Sequence, residues 1–294
     1  MSVQSSSASV PALAGLSSVA DKYDLIVCDV WGVVHNGQRA YPRASEALVC
    51  FRKKGGTVVL VSNAPRPADR VASMINRLGG DPAAWDDIVS SGDLTRMEVA
   101  ARPGQAVFHI GPERDQPIYA GLDVRFVGPT DAAYIVCTGF ANDEVQTPED
   151  YRAELEIAAR RKLLMICANP DLVVERGPRL IPCAGAMAQF YEMLGGAVLY
   201  AGKPHPPVYE ETLRRAEKLR GVPVAKDRVL AIGDAIRTDV TGAARMGFPC
   251  LFVARGIHAH ELGLADGPLD PARLTAWAAK QQPRPWAVIE TLAW

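Results

Sequence analysis

The chain has 294 residues, with 32 Lys+Arg against 33 Asp+Glu and a formal net charge of −1. Hydrophobic residues make up 48% and charged residues 22%, which excludes wholesale disorder and supplies a sizeable core. A charge near zero argues against a generic nucleic-acid binder and against electrostatic membrane binding. No apolar run approaches the roughly 18 residues of a spanning helix. The six cysteines are scattered, with no CxxC pair or zinc-like spacing, and several fall in apolar runs as small hydrophobes. Met1 to Val10 has neither a basic nor an apolar signal region, so a cytoplasmic location is expected, with residues 1–12 as a flexible tail.

In chain order the pattern is strand, loop, helix, repeated. Leu25-Ile26-Val27-Cys28 is continuously apolar, which suits a parallel strand covered on both faces. A helix follows over Pro42 to Lys54, with Pro in its first turn and Gly55-Gly56 past its end. Thr57 to Val61 is a second strand and Pro67 to Leu78 a second helix. Val107 to Ile110, Tyr134 to Cys137 and Leu163 to Ala168 read as strands, and Asp150 to Arg161 and Ala186 to Leu194 as helices. The outer grammar returns with strands at Val198 to Tyr200, Val229 to Ile232 and Pro249 to Val253. Helices at Pro207 to Arg220 and Asp239 to Met246 lie between them. The expected fold is α/β: a doubly wound, Rossmann-like parallel-sheet core over 1–88 and 197–294, with an α/β cap domain inserted over 89–196.

Four segments with chemical potential fall at strand ends: Asp29-Val30-Trp31-Gly32-Val33, Ser62-Asn63, Gly202-Lys203-Pro204, and Gly233-Asp234 through Asp239. If the four strands are parallel, these loops share the carboxyl edge where such sheets bind ligands. Carboxylates with phosphate oxygens suit Mg²⁺. Lysine offsets phosphoryl charge, and a serine hydroxyl donates to its oxygens. An aspartate can serve as nucleophile. Singly, each segment is no more than a turn former, a helix cap or a surface lysine; their order as a set carries the reading.

As a set they resemble the four motifs of haloacid dehalogenase-like hydrolases. The insertion is similar to the large α/β cap of the class IIA branch, which holds nitrophenyl, sugar and nucleotide phosphatases. Ala168-Asn169-Pro170-Asp171 and Gly185-Ala186 also resemble that branch. The resemblance implies Mg²⁺-dependent hydrolysis of a small phosphorylated metabolite through an aspartyl-phosphate. It implies Asp29 as nucleophile and metal ligand, the Trp31 carbonyl and Asp234 as further ligands, and Asp239 in support. Ser62, Asn63 and Lys203 would hold the phosphoryl group, with Asn169 a substrate contact from the cap. Branch members often pair through the cap, which makes a homodimer an expectation; no nucleic-acid or membrane partner is implied.

One position departs from the family pattern. Family phosphatases carry an acid/base aspartate two residues after the nucleophile, and here that residue is Trp31. Indole offers no useful proton at pH 7, and losing a general acid/base typically costs about 10²–10⁴-fold. The Asp-x-Trp-Gly-Val run with His35-Asn36-Gly37 resembles a subgroup within the branch. Three readings follow: a phosphatase that needs a good leaving group, a phosphatase in which His35 supplies the acid/base, or a phospho-ligand binding protein with impaired catalysis. Weaker candidates are the His109 to Asp115 loop and Thr138-Gly139, both in the cap, and a His258/His260/Glu261 metal site, which helical spacing disfavours.

Overall fold

The computed structural model describes residues 10–176, 179–264 and 267–294. In chain order its strands are β1 (Ala12–Leu13), β2 (Leu25–Asp29), β3 (Thr57–Ser62), β4 (Asp87–Ser90), β5 (Ala106–Ile110), β6 (Arg125–Phe126) and β7 (Tyr134–Cys137). They continue with β8 (Leu164–Cys167), β9 (Val173–Arg176), β10 (Arg179–Pro182), β11 (Ala197–Tyr200), β12 (Val229–Gly233), β13 (Cys250–Val253) and β14 (Ala287–Ile289). The fold is α/β and Rossmann-like, as expected. Two compact units divide the chain: unit 1 is Met1–Val61, Met74–Asp87 and Thr212–Trp294, and unit 2 is Ser62–Ser73 and Ile88–Glu211.

Unit 1 is built on a seven-stranded sheet of order β1-β14-β13-β12-β2-β3-β4, with β4 at the edge where the chain passes into unit 2. The pairs β1–β14, β14–β13, β13–β12, β12–β2 and β2–β3 are all parallel. The apolar residues of β2 and the whole of β3 are buried, which explains their unbroken apolar runs. Chain order reverses at β2: β3 lies on one side of it, and β12 to β14 on the other. That switch point opens a crevice at the carboxyl ends of β2 and β12. Ile232 pairs with Cys28, so Asp29 and Asp234 leave the sheet at nearly the same level.

Unit 2 has its own parallel sheet of order β11-β8-β7-β5-β6 and an antiparallel β9–β10 hairpin. Its core gathers Ile135, Met165, Leu155, Met187 and Tyr191, all buried. The Tyr191 hydroxyl donates to the Leu163 carbonyl (2.7 Å), so the largest buried side chain on helix Ala184–Met193 keeps its polar end satisfied.

Three expectations need correction. The strand over 198–200 does not join the outer sheet: β11 pairs with β8 of the five-stranded sheet, so Lys203 follows a strand of unit 2. Accordingly, residues 62–73 and 197–211 group with unit 2 relative to the expected boundaries at 88/89 and 196/197. The tail expected over 1–12 is tied down at its end. Ala12 and Leu13 pair with Val288 and Ile289, and Pro11 accepts from the Val288 amide (2.9 Å); residues 1–9 lie outside the described residues. Finally, the helix expected over Asp239 to Met246 is preceded by a π-helical turn, Ile236–Val240, before the α-helix Thr241–Met246. The Thr241 hydroxyl donates to the Ile236 carbonyl (2.7 Å) and closes that wide turn.

Candidate active site

In unit 1, carboxylate oxygens of Asp29, Asp234 and Asp239 lie within 4.8 Å of one another, the one such cluster among the described residues. Asp234 and Asp239 are buried and Asp29 partly so. Backbone amides orient all three. Val30 donates to Asp29 Oδ1 (2.7 Å), Ile257 to Asp234 Oδ2 (2.8 Å) and Ala235 to Asp239 Oδ2 (3.1 Å). Glycine makes room for them. A Cβ on Gly32 or Gly256 would fall 2.0 Å from Asp234 Oδ2, and one on Gly233 would fall 2.1 Å from the Asp239 carboxyl carbon. Buried carboxylates this close repel one another, and a divalent cation with a preference for hard oxygen donors relieves that. The donor set fits Mg²⁺.

The Gly256–Ile257 contribution escaped the sequence reading. Its only signal was a glycine three residues past the end of a predicted strand. The neighbouring histidine does not enter the carboxylate cluster. His258 Nδ1 meets Glu261 (2.9 Å), and Glu261 accepts from the Trp277 indole N–H (2.8 Å), so both brace the loop.

The loop after Asp29 folds back on itself. Gly32 N–H donates to the His35 carbonyl (2.8 Å), and the Trp31 and His35 rings meet edge to face at 5.1 Å. Gly37 adopts φ +82°, and a Cβ there would fall 2.4 Å from the Trp31 ring. The Trp31 side chain, 41% exposed, therefore rests on His35 and Gly37. His35 is fully buried. Its Nδ1 accepts from the Gly37 amide (2.9 Å), and its Nε2 is buried without a hydrogen-bond partner among the described residues. Burial lowers its pKa to about 4. A neutral, enclosed ring with one nitrogen occupied does not suit the acid/base role considered for it.

In unit 2 the remaining candidates form a second cluster. Asn63 grips Lys203 by its backbone: Asn63 Oδ1 accepts from Lys203 N–H (2.8 Å), and Asn63 Nδ2 donates to the Lys203 carbonyl (3.1 Å) and to Asp171 Oδ1 (2.9 Å). The two bonds to Lys203 span 140 residues of sequence. Asn63, expected at the phosphoryl group, thus also holds the backbone of Lys203. Ser62 Oγ accepts from the Ala64 amide (3.2 Å), which orients its hydroxyl. Asn169 Oδ1 accepts from the Asp171 amide (3.0 Å), a local turn bond. A Cβ on Gly202 would fall 2.1 Å from Ser91 Oγ and 2.6 Å from Asn63 Oδ1, so only glycine can precede Lys203 here. Ser62 and Lys203 are both buried.

Elsewhere in unit 2, His109 Nε2 lies 3.2 Å from Thr138 Oγ1 and its ring meets Tyr119 at 5.3 Å. Burial lowers the His109 pKa to about 4.

A parallel α/β sheet with a carboxylate cluster at its switch point offers a candidate site for a divalent cation. Residues 26–125 match the family model described as haloacid dehalogenase-like hydrolase, and residues 200–293 match the one described as HAD-hydrolase-like. A crystal structure of a hydrolase of the haloacid dehalogenase-like family from Brucella suis 1330 shares 48% identity. It covers 95% of this chain and 99% of its own, with a TM-score of 0.82. The chain belongs to the haloacid dehalogenase-like hydrolase family. Among named relatives, the D-glycerol 3-phosphate phosphatase of Mycobacterium tuberculosis is 30% identical over 249 residues, 83% of this chain; the match spans 66% of that protein's length. A glycerol phosphate phosphatase structure from the same organism, in complex with magnesium, shares the fold at 24% identity and a TM-score of 0.64, covering 87% of this chain and 77% of its own.

Proposed function

We propose that the protein is a Mg²⁺-dependent phosphatase that hydrolyses a small phosphorylated metabolite through an aspartyl-phosphate on Asp29. The observation that carries this reading is the Asp29, Asp234 and Asp239 cluster at the carboxyl ends of β2 and β12. Asp29, Asp234 and the Trp31 carbonyl would hold Mg²⁺, with Asp239 in support. The ion would draw charge from the phosphoryl oxygens. Asp29 attacks phosphorus and then surrenders the phosphoryl group to water. Lys203 would offset the charge of the transferring group and Ser62 would donate to its oxygens; the Asn63 side chain holds the Lys203 backbone, and the Ala64 amide orients the Ser62 hydroxyl. The family relatives named phosphatases support the reaction class.

Trp31 favours a second reading, a phospho-ligand binding protein with impaired catalysis. The experiment is phosphate release from a panel of phosphomonoesters plus acetyl phosphate, with and without Mg²⁺, for wild type and Asp29→Asn. Metal-dependent release lost in Asp29→Asn supports the phosphatase. No release, or release that survives the substitution, supports the binding protein or another mechanism.

A further inference from the structure

We infer that Trp31 makes this enzyme selective for phosphates whose leaving oxygen departs as a stable anion from a planar, conjugated group, aryl phosphates above all. The inference rests on the phosphatase reading and names its substrate class.

Two independent observations point the same way. The first is the lack of an acid on the loop that follows Asp29. From Val30 to Ala40 the loop carries no carboxyl group, and its one imidazole, His35, is fully buried with Nδ1 taken by the Gly37 amide. That loop borders the carboxylate cluster, because Gly32, next to Trp31, has no room for a Cβ against Asp234. The second is the indole itself. A flexible surface tryptophan would be unremarkable, but this one is seated on Gly37 and edge-on to His35 while 41% exposed. A rigid exposed aromatic face favours stacking with another planar ring.

The chemistry balances without a proton donor. Asp29 Oδ forms a bond to phosphorus as the phosphorus–oxygen bond to the leaving group breaks. The electron pair stays on the leaving oxygen, which departs as an aryloxide. Water oxygen then attacks phosphorus, and the aspartyl oxygen–phosphorus bond breaks. The pair returns to the Asp29 carboxylate, and the water proton passes to the released phosphate or to solvent. An alkoxide cannot leave unprotonated at a comparable rate, so alkyl esters should be slow by about 10²–10⁴-fold.

The test measures kcat/KM for substituted phenyl phosphates, glycerol phosphate and acetyl phosphate, together with quenching of tryptophan fluorescence by phenylphosphonate. Wild type should show a steep fall in rate as the leaving group becomes more basic. Acetyl phosphate, a good leaving group without a ring, should match the aryl esters in kcat but show a higher KM. Trp31→Asp should raise glycerol phosphate turnover at least roughly 10-fold, and Trp31→Leu should raise KM for aryl esters while abolishing the phenylphosphonate quench. Trp31→Phe should retain the aryl preference. A flat dependence on leaving group in wild type, or phenylphosphonate binding indifferent to Trp31→Leu, overturns the inference and leaves the phosphatase reading intact. Absence of phosphate release from every substrate, acetyl phosphate included, overturns both.

Discussion

Asn63 ties two distant parts of the chain together at the candidate site. Its amide holds the backbone of Lys203 on both sides and braces Asp171. Truncation leaves a buried amide and a buried carbonyl of Lys203 without those partners, which costs about 1–3 kcal/mol. Asn63→Ala is therefore predicted to lower kcat/KM by roughly 10–100-fold and to lower the thermal midpoint, although Lys203 itself is intact. Steady-state kinetics with a melting curve checks this, and unchanged kinetics would remove Asn63 from the positioning role. The sequence placed Asn63 beside Ser62 at the expected phosphoryl site but did not show its bonds to the Lys203 backbone. A contact across 140 residues leaves no periodicity or local spacing to read.

At the scale of elements, the strand ends were legible and the glycines around them were not. Continuous apolar runs made β2, β3 and β12 readable, and Asp29 and Asp234 follow from where those runs stop. The run at 198–200 was equally readable as a strand, yet apolar character does not say which sheet a strand joins. Hydrogen bonding to β8 decided it. The loop after β13 illustrates the other gap. Gly256 permits the chain to close on Asp234, since a Cβ there would overlap the carboxylate at 2.0 Å. Gly256→Ala is predicted to weaken Mg²⁺ binding by roughly 10–100-fold, measured by calorimetry. Gly128→Ala, where a Cβ meets nothing within 4 Å, should leave it unchanged. Equal behaviour of the two variants would contradict the cradle.

At the scale of the whole molecule, buried histidines tie stability to pH. Burial lowers the pKa of His109 from 6.5 to about 4. The unfolded chain therefore binds the proton first as pH falls through 6.5, and the folded state loses stability until about pH 4. Allowing for its partial exposure, His109 should account for about 1–2 kcal/mol of the loss between pH 7 and pH 5. Urea unfolding at both values should show a smaller loss for His109→Gln than for wild type. An identical loss would mean that His109 protonates freely in the folded protein.

The proposed reaction turns on one chemical event, transfer of a phosphoryl group to Asp29, at the cluster it forms with Asp234 and Asp239. The most direct test is to quench the enzyme in acid during turnover of an aryl phosphate with Mg²⁺ and map the peptides by mass spectrometry. A peptide containing Asp29 should carry the added mass of one phosphoryl group. That mass should vanish when Mg²⁺ is chelated or when Asp29→Asn is used. Phosphate release that proceeds with no phosphorylated Asp29 at any quench time, or with the label on another residue, would contradict the account.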